Sequence, residues 1–86
     1  MPRISEFYGI VIEMYYGDHP PPHFHARYGG DSAKIDIANG EVTAGSLSGR
    51  ALRLVREWTA EHRGELETNW ERTARHERPQ PIGPLR

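Results

Sequence analysis

A proline-stiffened arm at residues 17–26 restricts the fold more than any other part of this chain. It reads Gly-Asp-His-Pro-Pro-Pro-His-Phe-His-Ala and holds three of the five histidines and three of the seven prolines. Proline fixes φ and has no backbone N–H, and the residue before a proline is kept out of the helical region. The arm is therefore predicted to be extended and to present Asp18, His19, His23 and His25 at a defined place.

The length of the chain limits the size of its core. With 86 residues it is predicted to form one domain, and a domain of this size buries roughly 60% of the surface that its unfolded chain exposes. The chain has no cysteine, so neither a disulfide nor a thiolate metal site can add stability. The remaining sources of stability are a homodimer, a histidine-bound metal ion or a protein partner.

Charge and hydropathy restrict the classes of partner. The formal net charge is −1, which argues against direct binding of nucleic acid. No apolar run approaches the roughly 20 residues of a membrane span, and the first residues lack the apolar stretch of a signal peptide. We therefore expect a cytoplasmic protein without a membrane segment.

Four segments carry the pattern of β-strands. They are residues 7–16, 23–28, 33–38 and 41–46. The first is rich in aromatic and β-branched side chains, and the others alternate between apolar and polar ones. Asn39-Gly40 is a strong signal for a two-residue turn, so the last two segments are predicted to form a hairpin.

The predicted hairpins place the apolar side chains on one face of the sheet. A four-residue turn between the second and third segments pairs His25 with Asp36. The two-residue turn after the third segment pairs Ile37 with Val42. Both registers leave His23 and His25 on the face that the rest of the protein does not cover.

Two helices are predicted after the strands. Ser48 is a suitable N-cap, and an apolar stripe with helical spacing follows it. The stripe consists of Ala51, Leu54, Val55, Trp58 and His62. Gly64 is predicted to end this helix, and a second helix is predicted over residues 65–75.

The whole pattern predicts an α+β fold. A small antiparallel sheet of about four strands is followed by two C-terminal helices packed on one face. Residues 1–76 make the single domain, and the Pro-rich residues 77–86 make an extended C-terminal tail. Ile82 and Leu85 of this tail can dock onto the body of the protein or in the groove of a partner.

The histidines of the arm are candidate metal ligands. His23 and His25 are two residues apart on a predicted strand, so both rings leave the same face and can share one ion. Either His19 or Asp18 can add a third ligand, and His19, His23 and His25 form the predicted set. The ion is expected to be zinc or another first-row divalent metal, which with three protein ligands suits hydrolysis.

A metal-free catalytic pair is an alternative. His25 faces Asp36 in the predicted register, so these two residues are candidates for acid–base catalysis. Asp36 could instead orient His25 or bind the ion itself. Asp18, Arg27 and Lys34 are candidate binding residues, the two cations being suited to a phosphate group. The simpler interpretation is a solvated sheet face with cross-strand charge pairs.

Several stretches of the chain resemble the bacterial family called domain of unknown function 4160 (DUF4160). They are Met-Pro-Arg-Ile-Ser and Phe-Tyr-Gly-Ile at residues 1–5 and 7–10, the arm with its Pro-His-Phe-His element at residues 18–26, and Arg-Ala-Leu-Arg-Leu-Val-Arg-Glu-Trp at residues 50–58. In that family the arm usually reads as an acid, a residue or two, two prolines and His-x-His. The present chain has an extra proline at Pro20. The resemblance runs almost from end to end.

The resemblance implies a role in a two-gene module. Genes of that family often lie beside a second small uncharacterised gene, an arrangement taken as a toxin–antitoxin pair. The expected partner is therefore the cognate small protein of the same gene pair. The alternative is a small metal-dependent hydrolase or endoribonuclease that uses the His19, His23 and His25 cluster. The residues leave open whether the protein is an enzyme.

Overall fold

A five-stranded antiparallel sheet followed by two helices makes up the computed structural model, which describes residues 2–86. The strands follow one another across the sheet in chain order. They are β1 (Arg3–Phe7), β2 (Ile10–Glu13), β3 (His23–Tyr28), β4 (Asp31–Asp36) and β5 (Val42–Gly45). The predicted α+β class, with its antiparallel sheet and C-terminal helices, is confirmed.

The segment predicted as one strand at residues 7–16 contains two. Tyr8 and Gly9 have φ angles of 51° and 80° and turn the chain between β1 and β2. Phe7 pairs with Ile10 across this turn, so both side chains enter the core, while Tyr8 is 53% exposed. Strict alternation along one strand over residues 7–16 would place Tyr8 and Ile10 together on the core face and Phe7 opposite them, and it fails because the turn reverses the chain.

The turn between β3 and β4 is shorter than predicted. It holds two glycines, so His25 lies opposite Lys34 and His23 lies opposite Asp36. The predicted pairing of His25 with Asp36 is therefore wrong by two residues. The faces of the strands are nevertheless correct, because a shift of two residues preserves the alternation.

The hairpin between β4 and β5 also has a different register. Lys34 pairs with Ala44 and Ile35 pairs with Val42, so the register shifts there and Thr43 of β5 is the extra residue. The predicted pairing of Ile37 with Val42 is therefore wrong. A shift of this kind inserts an unpaired residue into one strand, which side-chain alternation does not reveal.

Two helices follow the sheet, α1 (Gly49–Glu61) and α2 (Arg63–Ala74). Ser48 Oγ accepts a hydrogen bond from the Ala51 N–H at 3.3 Å, so the predicted N-cap is confirmed. His62 separates the two helices, and its φ and ψ of −122° and 23° are not helical. Gly64 lies in the first turn of α2, so the prediction that it ends α1 is wrong. Within residues 2–86 neither helix is long and apolar enough to cross a membrane.

Trp58 of α1 lies at the centre of the core. Its ring centroid is 5.3 Å from that of Phe7 and 5.8 Å from that of Phe24. Trp58 and Phe24 are fully buried, and Leu66 of α2 joins the same cluster. The helices therefore cover the sheet face that carries Phe24, as the alternation of β3 predicted.

The C-terminal tail packs against the body of the protein. Ile82 and Leu85 are 5% and 8% exposed. The Ile82 N–H donates to the Ile4 carbonyl at 2.8 Å, and the Trp58 indole N–H donates to the Gly83 carbonyl at 2.8 Å. Because both apolar side chains are buried in their own chain, they are not free to enter the groove of a partner.

Candidate metal centre

Asp18, His23 and His25 converge at the beginning of β3. One ligand atom from each side chain lies within 4.8 Å of the other two. His23 and His25 project from the same face of β3 because they are two residues apart on a strand. Asp18 lies at the other end of the arm, which folds back to bring its carboxylate against the two rings.

The Asp18 carboxylate joins the two imidazoles. Its Oδ2 lies 2.8 Å from Nε2 of His23 and 3.3 Å from Nε2 of His25. Its Oδ1 accepts a hydrogen bond from the His19 N–H at 2.8 Å. His19 thus orients the carboxylate through its backbone, and the group of potential ligands contains Asp18 where the predicted set had His19.

Two hydrogen-bond acceptors flank the His23 ring. Nδ1 lies 2.8 Å from the Pro21 carbonyl oxygen, and a carbonyl can only accept, so Nδ1 carries the proton and donates. Nε2 faces the Asp18 carboxylate. The His23 side chain is only 2% exposed, so solvent water does not screen the contact between Nε2 and the carboxylate. Nε2 therefore meets the carboxylate either through a second ring proton, which it donates, or through a cation bound between them.

The pKa of Asp18 reflects the same contacts. Partial burial by itself raises the pKa of this carboxyl group. Hydrogen bonds from the His19 N–H and from the rings of His25 and His23 outweigh the burial, and the pKa falls below its ordinary value. Asp18 is therefore an ionised carboxylate at neutral pH, as a metal ligand must be.

Aromatic rings hold both imidazoles in place. The Tyr15 ring stacks on His25 with centroids 4.1 Å apart and planes 12° apart. The Trp70 ring of α2 lies 5.2 Å from that of His23. His25 lies on the open face of the sheet as predicted, with its side chain 22% exposed. His23, predicted to lie on the uncovered face, is instead buried against Trp70.

The other predicted site residues lie around this group. Arg27 donates two hydrogen bonds to Glu13, at 3.0 and 3.2 Å, and this ion pair raises the Arg27 pKa. Asp36 accepts from the N–H of Ala38 at 3.0 Å and lies opposite His23. Lys34 lies opposite His25. The structure thus leaves Lys34 beside the group and engages Arg27 elsewhere.

Sequence reasoning missed the roles of Tyr15, Glu13 and the Pro21 carbonyl. Tyr15 and Glu13 share one face of the predicted first strand. Their alternation with the core residue Met14 could have predicted that both side chains lie on the open face of the sheet. Every residue has a backbone carbonyl, so the sequence could not indicate that the one at Pro21 accepts a hydrogen bond from His23.

Comparison with known proteins gives one match. A family model described as Domain of unknown function (DUF4160) matches residues 9–71, which include the arm and the three potential ligands. No curated protein matches the chain, and no solved structure matches it.

Proposed function

The chain belongs to the DUF4160 family, as the resemblance of its arm predicted, and from its own geometry we propose that it is a metal-dependent hydrolase. Asp18, His23 and His25 bind one first-row divalent ion. Zinc is the preferred ion, because imidazole nitrogen and carboxylate oxygen are among its usual ligands.

The hydrogen bonding of His23 supports this proposal most directly. Its Nδ1–H is engaged by the Pro21 carbonyl, so in the neutral ring a lone pair on Nε2 points at the Asp18 carboxylate. Such an engaged second nitrogen is typical of metal-binding histidines, since it fixes the tautomer. A proton on His23 would satisfy this one contact, whereas a metal ion would satisfy all three ligand atoms.

The exposure of the group suits catalysis better than a purely structural role. Three protein ligands leave a position for water, as in catalytic zinc sites. A bound divalent ion lowers the pKa of water and polarises the bond to be hydrolysed. The side chains of Asp18 and His25 are 21% and 22% exposed, so water and substrate reach them from the open face. His23 anchors the group on its buried side.

Calorimetric titration of metal-free, untagged protein with zinc tests the site. We expect one ion per chain, and binding weakened about tenfold or more in His25→Ala and Asp18→Ala. His19→Ala is the matched control and should bind zinc as the wild type does. The metal site is wrong if the wild type binds neither zinc, cobalt, nickel nor manganese, or if His25→Ala binds as tightly as the wild type.

Hydrolysis is tested separately on the metal-loaded protein. We expect it to cleave 4-nitrophenyl esters, to lose this activity when a chelator removes the ion, and to regain it on reloading. Asp18→Ala should be inactive and His19→Ala active. Stoichiometric metal binding without any chelator-sensitive hydrolysis would leave a metal-binding protein and refute the hydrolase.

A second proposal concerns a protein partner. We propose that the chain is a cytoplasmic component of a two-gene, toxin–antitoxin-like module and binds its cognate small protein through β5. This strand pairs only with β4 at the edge of the sheet, and its last three residues are exposed. An unpaired edge strand is a template for strand addition. The opposite edge is less open, since the Ile4 carbonyl already accepts from Ile82.

Coexpression of the two genes tests this second proposal. One gene should arrest growth and the other should relieve the arrest. Thr43→Lys places a charge on the exposed edge strand and should weaken binding of the partner. Thr68→Lys on the exposed side of α2 is the control. Relief that persists when Thr43→Lys has abolished binding would contradict the proposal.

A further inference from the structure

We propose that the substrate of the metal centre is a phosphate ester and that Lys34 binds its phosphate group. This inference rests on the proposed metal-dependent hydrolase and adds the class of its substrate.

A shallow depression lies directly beside the candidate metal centre. It is lined by His25, Ser32 and Lys34 together with the end of β5, and its volume is about 180 Å³. His25 belongs to both the depression and the group of metal ligands. Lys34 lies opposite His25 in the sheet, where the Cβ atoms of cross-strand neighbours are about 5 Å apart. A group bound in the depression therefore lies next to the ion.

Lys34 is the cation that this face leaves available. Arg27, the other basic side chain of β3 and β4, is engaged by both carboxylate oxygens of Glu13. Among residues 2–86 no carboxylate forms an ion pair with Lys34. Asp36 is the acidic residue on the same face of β4, and its Oδ1 accepts from the backbone N–H of Ala38.

The balance of charge at the site favours an anionic ligand. A divalent ion bound by one carboxylate and two neutral imidazoles keeps one net positive charge, and the Lys34 ammonium group adds another. A phosphate group carries up to two negative charges, and its several oxygens can contact an ion and an ammonium group at once. The Ser32 hydroxyl supplies a further donor in the depression.

The apolar lining of the depression argues against substrates recognised by a large apolar group. Ala44 supplies a single methyl group there, since the side chain of Ala33 is buried in the core on the opposite face of β4. The reaction is then the hydrolysis of a phosphate ester. The oxygen of water forms a new bond to phosphorus, the bond from phosphorus to the ester oxygen breaks, and the departing alkoxide takes one proton from the water. The second proton stays with the phosphate or passes to solvent.

Binding of phenylphosphonate, a phosphate analogue that is not hydrolysed, tests the inference on the zinc-loaded protein. We expect Lys34→Gln to bind it roughly tenfold more weakly than the wild type, because a charge-assisted hydrogen bond is lost. Lys34→Arg should retain most of the binding. Arg53→Gln removes the same charge from the exposed side of α1 and should have no effect. Benzoate, a carboxylate of similar shape, should bind more weakly than phenylphosphonate.

Hydrolysis of 4-nitrophenyl phosphate provides a second measurement, in which Lys34→Gln should raise KM more than it lowers kcat. Zinc affinity should be the same in Lys34→Gln and the wild type. The inference is wrong, while the metal centre stands, if the zinc-loaded wild type does not bind phenylphosphonate or if Lys34→Gln binds it as tightly as the wild type does. It is also wrong if the wild type binds benzoate as tightly as phenylphosphonate. If no metal binds, both proposals fall.

Discussion

The Tyr15 ring lies flat against the imidazole of His25, with centroids 4.1 Å and planes 12° apart. Tyr15 follows β2, and His25 lies in the middle of β3. The stack therefore contacts His25, the more exposed of the two imidazoles, from the segment that follows β2, and it restricts the rotation of the ring. His23 needs no such support, since the Pro21 carbonyl and Trp70 already hold it.

We expect Tyr15→Leu to weaken zinc binding while the protein remains folded. An aromatic pair contributes about 0.5–1.5 kcal/mol beyond its buried area, so the affinity should fall about three- to tenfold. Tyr16→Leu is the matched control, because Tyr16 is 44% exposed and stacks on His76, which is not one of the proposed ligands. Calorimetric titration measures both. Equal affinity of Tyr15→Leu and the wild type would show that the stack does not position His25.

The lowered pKa of Asp18 predicts a pH dependence of stability in the metal-free protein. In the folded state the pKa of the Asp18 carboxyl group lies below its ordinary value. The ionised carboxylate therefore stabilises the fold at any pH above the pKa of an aspartate in the unfolded chain, about 3.9. This contribution is lost as the pH falls through the lower pKa that Asp18 has in the folded state. Asp18→Asn has no such group to titrate.

Urea unfolding of the wild type and Asp18→Asn at pH 6, 4 and 3 measures this contribution. The difference between their free energies of unfolding should be largest at pH 6 and should shrink toward pH 3. A difference that does not change with pH would mean that the contacts of Asp18 do not favour its charged form.

We expect the docked tail to contribute to the stability of the domain. Ile82→Ala removes a buried side chain beside β1 and should lower the free energy of unfolding by about 2–3 kcal/mol. Gln80→Ala is the control, since only the backbone of Gln80 bonds to Asn69 and its side chain is exposed. Urea unfolding followed by tryptophan fluorescence compares them. Equal stability of the two variants would mean that the tail does not add to the core.

Gly45 is required where β5 approaches β4. Its φ is +73°, and a Cβ there would collide with the Ser32 carbonyl oxygen. Gly45→Ala should cost at least about 2 kcal/mol of stability. Gly30→Ala, at a turn position with open space around it, should change stability by less than about 0.5 kcal/mol. Thermal unfolding distinguishes them, and an unaffected Gly45→Ala would mean that the edge strand can shift away.

The fold was largely predictable because its signals are local. The apolar stripe of α1, the Ser48 cap and the alternation of β3 each depend on residues close together in the chain. The number of strands was less predictable, since the turn at Tyr8 and Gly9 lacks the composition of a usual hairpin turn. Turn lengths and the register shift between β4 and β5 depend on how whole strands pack.

The candidate site was predictable in position but not in membership. The prolines and the His-x-His spacing located it, because both act over a few residues. The choice between Asp18 and His19 depended on how the arm folds back, which no periodicity describes. The pairing of His25 with Lys34 depended on a turn two residues shorter than expected.

Short-range chemistry thus suffices for the strands, the helices and the stiff arm of this protein, since side-chain alternation, helical spacing and proline geometry act between near neighbours. Packing in three dimensions alone brings the Asp18 carboxylate against two imidazoles, lays Tyr15 on His25 and buries the tail beside β1. Those contacts join residues from different elements, and their geometry depends on the sum of many weak interactions across the sheet.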